Sequence, residues 1–173
     1  MLIWVLRILS YIFLAYLLYF SQEMGRYLIG RWIGVPADKI RMAMFAFPQQ
    51  VEIYNGEKWV ASDQEEYLSA YARYDPLWNY GFLYACSGLY TESILLVIIT
   101  IIFSVGGWQE VALAAIIISL GLSFLQMAYS IYVSWRKDAI KGDYTIIHRL
   151  DARRSLAYVV VHFLLRIILL SFL

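Results

Sequence analysis

The chain has 173 residues and a formal net charge of +1, so its overall charge gives no electrostatic case for binding nucleic acid. Hydrophobic residues make up 62% of the sequence and the mean hydropathy is +0.63, whereas soluble domains are roughly half apolar. The composition therefore favours the integral membrane class. A single cysteine, Cys86, excludes an internal disulfide bond.

Four stretches of the sequence are apolar and long enough to cross a hydrocarbon core about 30 Å thick as helices of about 20 residues. They lie at about 2–20, 80–105, 111–135 and 155–173. The first has no basic leader region and no small-residue cleavage site, so we interpret it as a retained span rather than a signal peptide. We therefore predict an all-α integral membrane protein with a single membrane domain over residues 1–173.

The basic residues are concentrated in two predicted loops, which suggests an orientation. Of the 14 Lys and Arg residues, twelve lie within 21–77 and 136–154. With four spans, these two loops share one side of the membrane, and both chain ends share the other with the tight turn at 106–110. The positive-inside rule predicts that the loops are cytoplasmic and that both termini are outside.

The segment 38–77, between the first two spans, is predicted to form a small cytoplasmic insert at the membrane edge. The first helix is expected to continue to Ile33, where a Gly-Val-Pro sequence ends it. Residues 39–47 are predicted to form an extended segment. Residues 50–60 have alternating side chains before an Asn-Gly turn, which predicts a β-hairpin.

A short helix is predicted to follow this hairpin. Residues 62–66 combine a serine with acidic side chains, a pattern typical of a helix start. The side chains of Tyr67, Leu68, Tyr71 and Tyr74 then fall on one side. This arrangement suits an interfacial helix with an aromatic belt.

The first span runs into the sequence Gln22-Glu23-Met24-Gly25-Arg26, which has the outline of the zinc-protease motif H-E-x-G-H. In that motif, two histidines at i and i+4 hold the metal on one helical face, and the glutamate acts as general base. Here the glutamate is kept, and glutamine and arginine replace the histidines.

Three motifs in order resemble the site-2 protease family of intramembrane zinc metalloproteases. The first, F-S-Q-E-M-G-R-Y-L at 20–28 with G-R-W-I-G-V at 30–35, is similar to the family's H-E-x-G-H-Y-L run and the stretch leading into a β-hairpin. The second, S-G-L-Y-T-E at 87–92, resembles A-G-P-x-x-N. The third, L-D-A-R-R at 150–154, resembles L-D-G-x-R. The resemblance covers roughly 10–165.

The resemblance implies a role for each matching position. Gln22 and Arg26 stand where the family has its zinc histidines, Glu23 stands at the base position, and Asp151 stands at the third zinc ligand. Glu92 replaces the asparagine that assists substrate positioning or oxyanion stabilisation.

These replacements remove the chemistry that the resemblance would otherwise imply. Gln22 offers a weak neutral oxygen, and Arg26 is a permanent cation that repels zinc. Without the metal no water is acidified, so Glu23 has none to deprotonate. We expect a non-catalytic pseudoprotease without metal or cofactor.

Charged side chains within the spans need partners, because an unpaired charge at mid-membrane depth costs several kcal/mol. We predict that Arg26 replaces the metal by bridging Glu23 and Asp151. The alternative is that Glu23 and Arg26 lie unpaired at the water interface. A polar stripe in the third span suits helix–helix packing and consists of Ser119, Ser123, Gln126, Ser130 and Ser134.

A second buried pair is predicted deeper in the membrane, where Glu92 meets either Arg166 or Arg7. We favour a structural tie, with a polar pathway or proton relay as the alternative. His162 is interpreted as a hydrogen-bonded core residue rather than a haem ligand, because His148 lies in the basic loop. A metal site formed by Glu23, Asp151 and His148 is disfavoured by the nearby cation of Arg26.

The expected function is that of a non-catalytic, site-2-protease-like scaffold within a larger membrane complex. Its partners would be other integral membrane proteins and lipid, with a transmembrane segment or a peptide bound at the hairpin edge. One alternative is an accessory structural subunit of a transport or electron-transfer assembly with no surviving groove. Another is an active intramembrane protease, which stoichiometric zinc would indicate.

Overall fold

The computed structural model describes residues 2–43, 50–62, 64, 66–137 and 143–173, with residues 2, 3 and 137 described by their backbone alone. Within these residues the chain forms six α-helices and one three-stranded sheet. The helices are α1 (Leu2–Ile33), α2 (Tyr67–Ala72), α3 (Gly81–Val105), α4 (Gln109–Lys137), α5 (Asp143–Leu150) and α6 (Ala152–Ser171).

Four of these helices, α1, α3, α4 and α6, are long and apolar enough to cross a membrane. The predicted all-α membrane fold is therefore confirmed. Helix α1 continues past its predicted span to Ile33, as expected from the sequence. Gly34 then adopts a φ of +113°, a conformation that glycine reaches without steric cost, and the helix ends.

The insert between α1 and α3 contains an antiparallel sheet of β1 (Ile40–Ala43), β2 (Gln50–Tyr54) and β3 (Trp59–Ala61), in the order β1-β2-β3. The predicted hairpin is present as β2 and β3. The predicted extended run contributes β1, and its residues 44–49 lie outside the described part of the chain.

The predicted start of the short helix at 62–66 is wrong, because α2 begins at Tyr67. Of those five residues, 63 and 65 lie outside the described part of the chain. The backbone N–H of Ser62 donates to Val51 O at 3.1 Å, which extends the β2–β3 pairing by one residue. Pairing with the sheet therefore delays the helix.

The predicted aromatic belt on this helix is also wrong. Tyr67 and Tyr71 are buried in a core that includes Val51, Ile53 and Val60 of the sheet. The phenols find internal partners, which satisfies their polar ends. Tyr67 pairs with Tyr84 of α3, and Tyr71 donates to Asp75 at 2.9 Å. Helix α2 therefore holds the sheet against α3.

Helices α1 and α3 approach closely at the Gln22–Arg26 motif. A Cβ atom added at Gly25 would overlap the Thr91 hydroxyl and lie 2.5 Å from Ser87 O. A Cβ added at Gly88 would lie 2.9 Å from Gln22 O. Small residues allow such close packing between membrane helices. The two glycines therefore bring the polar face of α1 against α3.

We expect Gly25→Ala to lower the free energy of unfolding by about 1–3 kcal/mol, because the added methyl group has no room between α1 and α3. Gly121→Ala in α4 is the matched control, since an added Cβ there meets no atom within 4 Å. Thermal unfolding in detergent, followed by tryptophan fluorescence, measures both variants. Equal midpoints for Gly25→Ala and the wild type would contradict the close packing.

Candidate functional site: a buried ionic network

The polar motif of α1 is buried rather than at a water interface. Gln22 and Glu23 are each 1% exposed and Arg26 is 7% exposed. The Nη1 atom of Arg26 donates a hydrogen bond to Glu23 Oε1, one turn earlier on the same helix. The alternative of unpaired residues at the interface is therefore wrong.

The second partner of Arg26 is Asp143, not the predicted Asp151. The Nη2 atom of Arg26 donates to Asp143 Oδ2 from the first turn of α5. Asp151 instead caps α6, where its side chain accepts from the backbone N–H groups of Arg153 and Arg154 at 3.1 and 2.9 Å. Capping satisfies donors that a helix start leaves unpaired, and this local demand holds Asp151 away from Arg26.

Helix α5 and the role of Asp143 were not predicted. The segment 136–154 is predicted as a basic loop, but Asp143–Leu150 is helical and buries Tyr144 and Ile147. An acidic residue followed by apolar side chains three apart is the signal in the sequence that indicates this short amphipathic helix.

Glu23 also joins α1 to the sheet. Its Oε2 atom accepts from the backbone N–H of Val51 at 2.9 Å. The carbonyl of Val51 accepts a hydrogen bond from Ser62 N. In a regular antiparallel pair, Val51 N–H would in turn donate to the carbonyl of Ser62. Here Val51 N–H donates to the Glu23 carboxylate instead. Both oxygens of Glu23 are thus engaged, one by Arg26 and one by β2.

A second centre forms around Glu92, which is fully buried. Arg166 Nη2 lies 3.1 Å from Glu92 Oε2, so the predicted Glu92–Arg166 pair is present. Ser119 of α4 donates to Glu92 Oε1, and Arg166 Nε donates to the same Ser119 hydroxyl at 2.8 Å. The other predicted candidate, Arg7, lies 3.5 Å from Glu110 instead, and both side chains are exposed.

Gln22 connects the Glu92 centre to α1. Its Nε2 atom donates to Glu92 Oε2 at 3.1 Å, and its Oε1 atom accepts from Gln126 Nε2 at 2.7 Å. Gln22, which the resemblance aligns with one of the zinc histidines, therefore connects α1 to α3 and α4.

His162 is held by hydroxyl groups from two helices. Its Nε2 atom lies 3.0 Å from Ser123 Oγ, and its Nδ1 atom lies 3.3 Å from Ser93 Oγ. Its backbone carbonyl accepts from Arg166 Nη1 at 2.7 Å. His162 is thus linked to the Glu92 centre through its main chain.

A small cleft opens beside Arg26 and Asp143, between α2, the start of α3 and α5. Its polar lining includes Ser62 and the paired phenols of Tyr67 and Tyr84. Burial raises the pKa of Tyr67 well above its usual value, so this side chain is a neutral hydrogen-bonding group at physiological pH.

The residues at the motif do not fit the zinc that the resemblance implies. Gln22 uses both amide atoms within the protein, a guanidinium occupies the second ligand position, and Asp151 lies at a helix end instead. The described part of the chain contains no group of three or more His, Cys, Asp or Glu side chains that could hold a metal ion. His148 lies near Ser155, at 3.3 Å, rather than beside Glu23.

Comparisons of the chain with protein-family models, with curated proteins and with solved structures found no match. The resemblance to site-2 proteases stays a prediction that rests on the three motifs.

Arg26→Gln is expected to lower the free energy of unfolding by about 3–5 kcal/mol, because it leaves two buried carboxylates without their cation. Asp143→Asn is expected to lower the free energy of unfolding by a smaller amount, because Arg26 then keeps its ion pair with Glu23. In the double variant, the loss should be smaller than the sum of the single losses by at least about 1 kcal/mol. Denaturant titration in detergent measures the free energies of unfolding of the wild type, both single variants and the double variant.

Asp151→Asn is the matched control for this cycle. Asparagine caps a helix about as well as aspartate, and Asp151 does not contact Arg26 in the structure. We expect no coupling between Asp151→Asn and Arg26→Gln. Coupling to Asp151 in place of Asp143 would show that the pairing described above is incorrect.

Glu92→Gln and Arg166→Gln are each expected to cost about 3–5 kcal/mol, because each leaves one charge buried without its counter-ion. The double variant contains neither charge and should recover part of this loss. Arg7→Gln, which removes an exposed ion pair, should change the free energy by less than about 1 kcal/mol. Single variants as stable as the wild type would argue against a structural tie.

Proposed function

We propose that this chain is a non-catalytic membrane scaffold with a site-2-protease-like arrangement, which binds a partner membrane protein or transmembrane segment within a larger complex. The observation that supports it best is the placement of the Arg26 guanidinium between the carboxylates of Glu23 and Asp143. A fixed internal cation at this position suits a structural centre rather than a reaction centre.

The engagement of Glu23 supports the non-catalytic part of the proposal. A general base must lie within hydrogen-bond reach of the proton that it removes. Each oxygen of Glu23 already accepts a hydrogen bond from within the protein, one from Arg26 and one from Val51 N–H. The carboxylate therefore holds α1 to the sheet.

The sheet supports the binding part of the proposal. Strand β1 is an edge of the three-stranded sheet, and an exposed edge can accept an extended peptide as a further strand. Arg41 on β1 pairs with Glu52 at 2.6 Å and lies over the Trp59 ring at 4.1 Å. These cross-strand contacts keep the sheet rigid, which limits the entropy lost on binding.

We place the sheet and α5 on the cytoplasmic side and both chain ends outside. This orientation follows the positive-inside rule and rests on the basic residues between α4 and α6.

The alternative, an accessory subunit without a surviving groove, is favoured by one contact. Asp143 occupies the remaining face of Arg26 and brings α5 against the site. If that contact is permanent, the centre is only a tie between helices and the binding surface lies elsewhere.

A photo-crosslinking amino acid placed at Ala43 of β1 tests the proposal in native membranes. We expect a discrete adduct with an integral membrane protein that is recovered uncleaved. The same group placed at Glu57, on the exposed hairpin turn, is the control and should give little of this adduct. An adduct at neither position, in a protein that aggregates without its partners, would favour the accessory subunit. A cleaved partner together with stoichiometric zinc would overturn both.

A further inference from the structure

The two charged loops differ in their balance of charge. Residues 21–77 contain six basic and eight acidic side chains, whereas residues 136–154 contain six basic and only three acidic ones. The surplus positive charge therefore belongs to the segment that connects α4 to α6, and not to the segment that contains the sheet.

Pairing within the structure sharpens this difference. Three basic residues around the sheet have acidic partners, in the pairs Lys39–Asp38, Arg41–Glu52 and Lys58–Glu66. The exposed Arg31 and Arg73 have no ion-pair partner within the part of the chain that the structure describes. Near α5, Asp143 is directed inward to Arg26, and Asp151 pairs with Arg154 at 3.1 Å.

Three exposed arginines remain at this junction, namely Arg136, Arg149 and Arg153. None of them has an ion-pair partner among the residues that the structure describes. We call these three residues the basic corner.

Helix α5 contacts both of the helices that carry the other two arginines of the basic corner. Thr145 Oγ1 donates to Ser130 O of α4 at 3.2 Å, and His148 Nδ1 lies 3.3 Å from Ser155 Oγ of α6. These contacts hold α5 between the last turns of α4 and the first turn of α6. Arg149 lies on α5, and Arg136 and Arg153 lie on the two helices that α5 contacts.

Two of the three arginines of the basic corner lie at the ends of candidate membrane spans, Gln109–Arg136 and Ala152–Ser171. Arg136 follows Trp135, which is 82% exposed, and Arg153 precedes Leu156, which is 67% exposed. Tryptophan is enriched at headgroup level, where its ring meets both apolar and polar surroundings. The arginines and the neighbouring apolar side chains thus match a charged headgroup with its acyl chains.

We propose that the basic corner binds the headgroup of an anionic phospholipid. A guanidinium forms paired hydrogen bonds with phosphate oxygens, and basic clusters beside membrane helices attract anionic lipids. A lipid is favoured over a soluble acidic protein because the exposed Trp135 and Leu156 adjoin the arginines. Binding would also hold α5, and with it Asp143, against Arg26.

Lipid retention provides the test. The protein is equilibrated in mild detergent with equal amounts of phosphatidylglycerol and phosphatidylcholine, and the retained lipids are counted by native mass spectrometry. We expect the wild type to prefer phosphatidylglycerol by about 5-fold or more, and Arg136→Gln/Arg149→Gln/Arg153→Gln to lose this preference. Raising the salt concentration should weaken the preference of the wild type as well.

The control is Arg31→Gln/Arg41→Gln/Lys58→Gln, which removes the same number of charges near the sheet and should keep the preference. If the triple corner variant fails to fold, Arg153→Gln alone should still lower the preference. A wild type that retains both lipids equally would overturn the proposal. So would a control that loses as much preference as the corner variant, or a wild type that binds a soluble polyglutamate peptide in place of lipid.

Discussion

A guanidinium buried in an apolar helix bundle must have its charge and its hydrogen-bond donors satisfied where it lies. At Arg26 this requirement determines how several elements meet. Glu23 supplies one carboxylate from the same helix, and Asp143 supplies the other from α5. Because Glu23 also accepts from Val51 N–H, the same ionic centre holds α1, the sheet and α5 together.

A second centre joins the four long helices by the same principle. Glu92 of α3 meets Arg166 of α6, Ser119 of α4 and Gln22 of α1. Each contact uses a polar group that would be costly if left alone in the bundle interior. The two centres are adjacent, because Gln22 and Glu23 are neighbours on α1, and Gly88 lets α3 pack directly against that turn.

Much of the fold could be predicted because it follows from hydropathy and turn chemistry. Apolar length located the four spans, and the Asn-Gly turn located the β2–β3 hairpin. The Glu92–Arg166 pair was also predictable, because few counter-ions exist at that depth. The second partner of Arg26, Asp143, could not be predicted in this way. Asp151 lies in the sequence that resembles the site-2 protease motif, but its local role as a helix cap decides its position. Asp143 lies on a helix that is too short to produce a strong periodic signal.

Arg26 is fixed between Glu23 and Asp143, at a position that only the motif resemblance assigns to a zinc ligand. The most direct test is an electron cryo-microscopy map of the chain in lipid nanodiscs, at a resolution that shows side chains. We expect continuous density from Arg26 to both Glu23 and Asp143, with Asp151 at the start of α6. A metal ion beside Glu23, or Asp151 in contact with Arg26, would show that Arg26 does not replace a metal in this way.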